Sequence, residues 1–200
     1  MVSAQTRSVV SFAHDVLGVK PHPRQKEALR GIASHELSLL CLGRRSGKTL
    51  VACIWAVYDA VVRDLSEYVR PGEPRYVVVV ATAWDQARRA FQVIRSFFDL
   101  PLLSPLVVRE TTEELHLTTG VVIKCLPCSA RSTRGLAVST VIFDELAHFI
   151  DTENGYQAGE QVYRALAPSV AQFGDVGRII CLSTPRGQRG IFWRLWNVQD

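Results

Sequence analysis

The sequence has no apolar run that approaches the roughly 18 residues of a membrane-spanning helix. Residues 1–10 contain one arginine and lack the apolar segment of a secretory signal peptide. There is also no internal repeat and no low-complexity stretch. With 48% apolar and 21% charged residues, the composition is that of an ordinary globular protein. We therefore expect a single domain over residues 1–200 with no membrane contact.

Lysine is scarce: 19 of the 23 basic residues are arginine, and the formal net charge is +4. Arginine suits bidentate phosphate contacts, so this bias favours a polyanionic partner, although codon composition explains it equally well. Cysteine is limited to five residues. Cys125 and Cys128 form a lone C-x-x-C pair without a second pair of ligands, which argues against a zinc site and favours reduced thiols.

The stretch from Leu37 to Val57 has the order apolar strand, short basic loop, apolar helix. The loop ends in Gly-Lys-Thr, which in that context predicts a phosphate-binding loop. Its backbone N–H groups bind phosphates, Lys48 reaches the β- and γ-phosphates of ATP, and the Thr49 hydroxyl binds Mg²⁺. The predicted nucleotide-binding residues of the loop are Gly43, Arg44, Arg45, Ser46, Gly47, Lys48 and Thr49.

The loop departs from the strict pattern G-x-x-x-x-G-K-[ST]. Leu42 occupies the first glycine position, and the glycine follows one residue later, at Gly43. A basic turn that only ends a strand is therefore the alternative interpretation.

A second apolar strand, from Val138 to Phe143, ends in Asp144 and Glu145. This is the Walker B pattern, in which Asp144 holds Mg²⁺, directly or through water, and Glu145 polarises the attacking water. An acidic strand end is common by itself, but it is much less expected by chance after a Gly-Lys-Thr loop. The two motifs together predict an Mg²⁺-dependent ATPase.

The remaining pattern alternates strands and helices. Buried strands are expected at 75–82 and 177–184, and helices at 8–17, 24–33, 83–98, 160–170 and from 191 onward. Three short strands at 106–109, 114–118 and 121–126 predict an antiparallel insertion or edge rather than another β-α-β unit. Gln25 lies about two dozen residues before Lys48. A glutamine there reads the adenine edge in helicase-like ATPases; a solvated helix residue is the alternative.

Three segments resemble the ATPase domain of the large terminase subunit, the DNA-packaging motor of tailed phages. They are residues 43–49, residues 141–148 and residues 182–187, and the last is similar to the coupling motif of that family. The family tolerates the shifted glycine and favours arginine in the loop. The order and spacing of the segments match over nearly the whole chain.

The resemblance implies an α/β fold, a RecA-like P-loop NTPase with a mostly parallel central sheet, flanking helices and a small antiparallel edge. The strand that ends at Ser183 is then expected between the P-loop strand and the Walker B strand. Ser183 and Thr184 would sense the γ-phosphate beside Glu145. The family also uses arginines to stabilise the transition state. Arg44 or Arg45 fits the arginine from the P-loop.

Arg134 fits the arginine that the next subunit of a ring donates, and a plain surface loop is the alternative for it.

Further partners implied by the resemblance are double-stranded DNA, a homo-oligomeric ring, the portal and the small terminase subunit, all in the cytoplasm of the infected host. The arginine-bearing helix 83–98 and the turn 186–189 are candidate DNA or neighbour contacts. The nuclease domain usual in the family has no counterpart in these 200 residues, so either a truncated chain or a lone motor half is expected.

Two rivals stay open. One is a helicase-like ATPase acting on nucleic acid, although a full helicase core needs a second RecA-like domain. The other is a nucleotide-binding assembly module without turnover. ATP turnover measured with and without DNA separates the three.

Overall fold

The computed structural model describes residues 7–128, 135–149 and 157–198. Its strands, in chain order, are β1 (Leu37–Cys41), β2 (Arg75–Ala81), β3 (Val107–Glu110), β4 (Glu114–Leu117), β5 (Val121–Pro127), β6 (Ala137–Asp144) and β7 (Arg178–Ser183). Its α-helices are α1 (Val9–Asp15), α2 (Pro23–Ser34), α3 (Lys48–Val62), α4 (Trp84–Phe97), α5 (Gln157–Ala171) and α6 (Gly190–Asn197). Each expected helix and strand is therefore present, with ends that differ by a few residues.

The strands form one mixed sheet of seven strands in the order β1-β7-β6-β2-β5-β4-β3. The five strands β1, β7, β6, β2 and β5 are parallel, and β4 and β3 add an antiparallel edge. The predicted place of β7, between the P-loop strand β1 and the Walker B strand β6, is confirmed. Because the carboxyl ends of parallel strands meet at one edge of the sheet, the two motifs lie side by side there.

One part of the predicted topology is wrong. Strand β5 was expected to belong to an antiparallel insertion, but it pairs in parallel with β2 over its whole length, from Arg75 opposite Val121 to Ala81 opposite Pro127. The chain from β2 through α4 to β5 is therefore a β-α-β crossover, into which the strands β3 and β4 are inserted. Strand β5 also pairs with β4 in the antiparallel sense, so it joins the two parts of the sheet.

The apolar sequence of β2 from Val77 to Ala81 follows from burial on both faces of the sheet. Val77 and Val79 pack in the cluster that includes residues of helices α1 to α4, whereas Val78 and Val80 pack in the cluster that includes residues of α5 and α6. All four valines are at most 1% exposed. Helices on both faces thus hold the sheet rigidly, and its carboxyl edge is left for the loops.

A buried polar cluster holds the far end of helix α3. The Arg75 Nη1 donates to Asp59 Oδ1 at 3.1 Å and to Ser139 Oγ at 2.7 Å, and Ser139 Oγ donates to Asp59 Oδ2 at 2.9 Å. Arg63 Nη1 also donates to Asp59 Oδ1 at 3.1 Å. Because α3 begins at the phosphate-binding loop, this cluster fixes that helix against β2 and β6.

Side chains form hydrogen bonds with the terminal backbone groups of helix α2 at both of its ends. Pro23 is at the first helical position, His22 is the N-cap, and His22 and Gln25 form a capping box. At the other end the Arg178 guanidinium donates to the carbonyl oxygens of Ile32 and Ala33, each at 2.9 Å. Within the described ranges no helix combines the length and the apolar character needed to cross a bilayer.

Candidate functional site

The phosphate-binding loop follows β1 at the carboxyl edge of the sheet. The hydrogen bonding between β1 and β7 extends one residue past β1, since Leu42 N donates to the Ser183 carbonyl oxygen at 3.0 Å. Arg45 and Gly47 then take left-handed backbone conformations, with φ of 61° and 77°. Helix α3 starts at Lys48, so its free N–H groups point into the loop.

The shifted glycine has a structural explanation. Gly43 does not have a positive φ, and a Cβ built there meets nothing within 4 Å, so the backbone does not require glycine at this position. The left-handed turn is made by Arg45 instead. Gly47 favours glycine mainly because its φ of 77° strains a residue with a Cβ, and a Cβ there would also displace the Gln25 amide.

Gln25 connects α2 to the phosphate-binding loop. Its Oε1 accepts a hydrogen bond from His22 N at 2.9 Å, and its Nε2 donates to the Ser46 carbonyl oxygen at 3.1 Å. Both ends of the amide are therefore engaged by protein in this structure. Contact with adenine stays a prediction, and the observed role of Gln25 is to support the loop.

The predicted Mg²⁺ ligands lie together. Thr49 Oγ1 donates to Asp144 Oδ2 at 2.9 Å, across the gap between α3 and β6. Of the buried side-chain oxygen and nitrogen atoms in the described part of the chain, Asp144 Oδ1 and Ser46 Oγ have no hydrogen-bond partner. Burial raises the pKa of Asp144, and the nearby Glu145 adds to that rise, while the Thr49 hydrogen bond and Lys48 oppose it. A buried carboxylate oxygen without a partner, beside a hydroxyl, fits a site for Mg²⁺.

Glu145 follows β6 with a left-handed backbone, φ 64°, which is uncommon outside glycine and turns its side chain toward the loop. Its Oε1 lies 2.9 Å from Lys48 Nζ. Its Oε2 accepts from Thr184 N at 2.8 Å and from Thr184 Oγ1 at 3.0 Å. Burial favours the neutral carboxyl, but the Thr184 and Lys48 contacts outweigh it, and the pKa of Glu145 is lowered. The carboxylate is thus ionised and fixed at the mouth of the loop.

The predicted sensor residues are placed beside Glu145, as expected. Ser183 Oγ also lies 3.4 Å from Glu145 Oε2, and Thr184 is 7% exposed. His148 completes this side of the site. Its Nε2 is 2.9 Å from Thr184 Oγ1, and its Nδ1 is 3.1 Å from Nη1 of Arg186.

Three arginines were predicted to stabilise the transition state. Arg44 and Arg45 are both exposed at the surface of the loop. The charge of Arg44 contributes to the lowered pKa of the His148 ring. Arg134 lies outside the described residues. The roles of all three in catalysis stay predictions.

Sequence reasoning missed two contributors to the site. His148 was noticed only as the end of the Walker B motif, without a role, although its spacing of three residues from Glu145 brings both onto one short helical turn. Arg45 as the left-handed residue of the loop was also missed. A non-glycine residue with positive φ leaves no reliable signal in a sequence, whereas the histidine spacing could have been used.

Comparison with known proteins agrees with this geometry. The sequence model of the family described as "Terminase large subunit, ATPase domain" matches residues 31–163. No curated protein matches the chain closely enough to count as a relative.

Among solved structures, the large terminase ATPase domain of Thermus phage P74-26 is similar with a TM-score of 0.67 and 22% identity, covering 88% of this chain and 69% of that one. The large terminase of bacteriophage HK97 is similar with a TM-score of 0.71 and 18% identity, covering 98% of this chain and 40% of that one. The ADP-bound RNA helicase Prp28 from Chaetomium thermophilum has a TM-score of 0.53 and 16% identity, covering 100% of this chain and 48% of that one.

At these identities the similar structures establish a shared RecA-like fold. The family match spans most of the chain and includes both the phosphate-binding loop and the Walker B strand. The chain belongs to the family of terminase large subunit ATPase domains.

Proposed function

We propose that this chain binds Mg²⁺-ATP at the carboxyl edge of its sheet, hydrolyses it, and drives double-stranded DNA into a phage procapsid. One observation supports the hydrolysis above all. The side chains of Lys48 and Glu145 lie 2.9 Å apart, next to the Thr49–Asp144 pair with its free carboxylate oxygen. The ammonium group that would bind phosphate, the oxygens that would bind Mg²⁺ and the carboxylate that would polarise water therefore lie close together.

Phosphate binding begins with an exchange of partners at Lys48. Its side chain is only 8% exposed and is paired with Glu145, so the ammonium group is already desolvated and directed into the loop. A γ-phosphate in the loop competes with the Glu145 carboxylate for this cation. As Lys48 turns to phosphate, one Glu145 oxygen becomes free to accept a hydrogen bond from water.

Asp144 and Thr49 are the residues that would hold Mg²⁺. When bound, the ion neutralises charge that develops on the phosphate oxygens. Binding also compensates for the burial of Asp144, whose pKa is raised in its absence.

Glu145 is the group that orients and polarises the attacking water. Thr184 keeps one carboxylate oxygen in place through its N–H and hydroxyl groups, while the other oxygen is released by Lys48. A general base gains from such fixed orientation, because the reacting water must lie within hydrogen-bond distance of it.

The link to DNA rests on the family and on charge. A ring of subunits, the portal, the small terminase subunit and the host cytoplasm belong to this proposal as the setting of the motor. Exposed arginines at Arg88 and Arg89 on α4, and at Arg186 and Arg189 in the turn after β7, offer phosphate contacts without base recognition.

The test is ATP turnover measured with and without double-stranded DNA, together with DNA affinity at several salt concentrations. We expect DNA to increase turnover, and affinity to fall steeply with salt without a preferred duplex sequence, because phosphate contacts release counterions. Turnover stimulated by single-stranded RNA or DNA but not by duplex would favour the helicase-like alternative. ATP binding without turnover under all conditions would favour an assembly module.

A further inference from the structure

Three hydrogen bonds connect an exposed arginine to the Glu145 carboxylate. Arg186 Nη1 lies 3.1 Å from His148 Nδ1, His148 Nε2 lies 2.9 Å from Thr184 Oγ1, and Thr184 Oγ1 lies 3.0 Å from Glu145 Oε2. His148 Nε2 is also 3.8 Å from Glu145 Oε2. None of the motif assignments gives His148 a role.

The donor and acceptor of each bond follow from elementary chemistry. A guanidinium can only donate, so His148 Nδ1 must accept and carry no proton. The ring proton is then on Nε2, which donates to Thr184 Oγ1. That hydroxyl has one proton, and it is left free to donate to the ionised Glu145. Every bond in the series therefore points from Arg186 toward Glu145.

We propose that His148 is a positioning residue for the reaction. In its neutral form, with the proton on Nε2, it orients the Thr184 hydroxyl toward Glu145 and so holds the carboxylate in place. Arg186 maintains that form of the ring by occupying Nδ1. The part played in catalysis rests on the proposed function, whereas the direction of the three bonds does not.

The charges around His148 are consistent with a neutral ring. Burial is the largest cause and lowers its pKa below the ordinary value, and Arg186 and Arg44 lower it further, while Glu145 and a hydrogen bond to the Thr184 backbone oppose them. These are the charged groups that face the ring among the described residues. Protonation would place an N–H of Nδ1 against the guanidinium. The two donors then repel each other, and the ring moves away from the position in which Nε2 contacts Thr184. Acid should therefore disorder Glu145 through His148 before Glu145 itself is protonated.

The chain provides a matched control group at a distance from the site. On β4 and β5, Glu114 lies 2.8 Å from Lys124 Nζ and 2.9 Å from His116 Nε2. The side chains of His116 and His148 are 28% and 27% exposed. We call Glu114, His116 and Lys124 the control triad, because it repeats the ion-pair chemistry of Lys48, Glu145 and His148 without the nucleotide loop.

The first measurement is independent of catalysis. Long-range ¹H–¹⁵N correlation spectra of the nucleotide-free chain report which ring nitrogen of each histidine carries the proton, and His148→Gln identifies the signal. We expect His148 to have its proton on Nε2 and to titrate below about 6.5, the ordinary histidine value. In Arg186→Ala that titration should move to higher pH, while His116 serves as internal control. A proton on Nδ1, or a titration that Arg186→Ala leaves unmoved, overturns the proposal.

The second measurement is the pH dependence of kcat and KM for ATP. His148→Ala should lower kcat by ~3- to 10-fold, the scale of one hydrogen bond, with little change in KM. His148→Gln, which can still donate and accept, should retain kcat and lose the decline on the acidic side. Arg186→Ala should move that decline to higher pH, and His116→Gln, in the control triad, should match the wild type.

The outcomes are separable. Equal kcat in His148→Ala and the wild type, or an unchanged acidic decline in His148→Gln, rejects the positioning role. A His148→Gln variant as slow as His148→Ala rejects it as well. A wild-type chain without ATP turnover rejects the proposed function instead, and the spectra then still decide the direction of the hydrogen bonds.

Discussion

At the scale of single residues, the pair formed by Lys48 and Glu145 defines the nucleotide-free state. The two groups that we propose for phosphate binding and water activation neutralise each other at 2.9 Å. The control triad contains the same pair of residue types at 2.8 Å, between Glu114 and Lys124. What distinguishes the first pair is its position beside the loop, where the proposed mechanism has a phosphate displace the carboxylate.

We expect Lys48→Ala to abolish stabilisation by Mg²⁺-ATP. A ligand that binds only the folded chain adds about 2.7 kcal/mol at a hundred times its Kd, which for this chain length corresponds to a rise in Tm of ~5–10 °C. Thermal unfolding with and without nucleotide measures the rise. Lys124→Ala, the matched control, should keep the full shift. An equal ATP-induced rise in Lys48→Ala and the parent would show that the loop does not bind through this lysine.

The sequence was sufficient to predict the residues whose chemistry lies within a local motif. Lys48, Thr49, Asp144 and Glu145 were each identified from the strand, loop and acid pattern around them, and the structure brings them together. The contact of Gln25 with Ser46 could not be predicted, and neither could the contacts of His148 with Thr184 and Arg186. They depend on how separate loops approach each other, which no local spacing encodes.

At the scale of helices and strands, burial explains why the strands were predicted correctly and why the direction of one of them was not. Apolar runs such as 75–81 mark strands covered on both faces, so their existence was readily predicted. The direction of β5 relative to β2 was not predicted, because the sequence of a strand does not show whether its partner is parallel or antiparallel. The expected antiparallel edge correctly included the pairing of β5 with β4, but the parallel pairing with β2 depends on the crossover through α4.

The buried cluster at the end of α3 should be the most sensitive element outside the site. Asp59 is 0% exposed, and Arg75→Ala removes one of its charged partners. We expect a loss of about 3–5 kcal/mol in the free energy of unfolding, since a buried charge is left incompletely paired. Urea denaturation measures it. Arg95→Ala breaks pairs with the more exposed Asp99 and Glu110, and should cost less than about 1 kcal/mol. Similar losses in the two variants would contradict a structural role for the cluster.

At the scale of the whole molecule, we propose a site shared between subunits, on the basis of where Arg134 stands in the sequence. It precedes Asp144 by ten residues, and the strand Ala137–Asp144 lies between them. At about 3.3 Å per residue the two ends are roughly 20 Å or more apart, farther than an arginine side chain extends. In a ring of subunits packed head to tail, Arg134 could instead reach a neighbour's nucleotide.

We therefore expect specific ATPase activity to rise with protein concentration, because an arginine donated by a neighbour contributes roughly 10³- to 10⁵-fold in rate. Mixing inactive Arg134→Ala with inactive Glu145→Gln subunits should restore part of the activity, since one interface then contains both intact groups. Activity independent of concentration would rule out the shared site. So would a mixture without recovery, once the two variants are shown to assemble together.

The most direct test of the whole account is ATP hydrolysis by Glu145→Gln, with Glu114→Gln as the matched control. The account predicts that Glu145→Gln slows turnover by roughly two to four orders of magnitude, the usual scale for a general base. It should bind ATP at least as tightly as the parent, because the carboxylate that competes for Lys48 is gone, and Glu114→Gln should hydrolyse normally. Turnover at the parental rate in Glu145→Gln would contradict the account, and so would a loss of ATP binding in that variant.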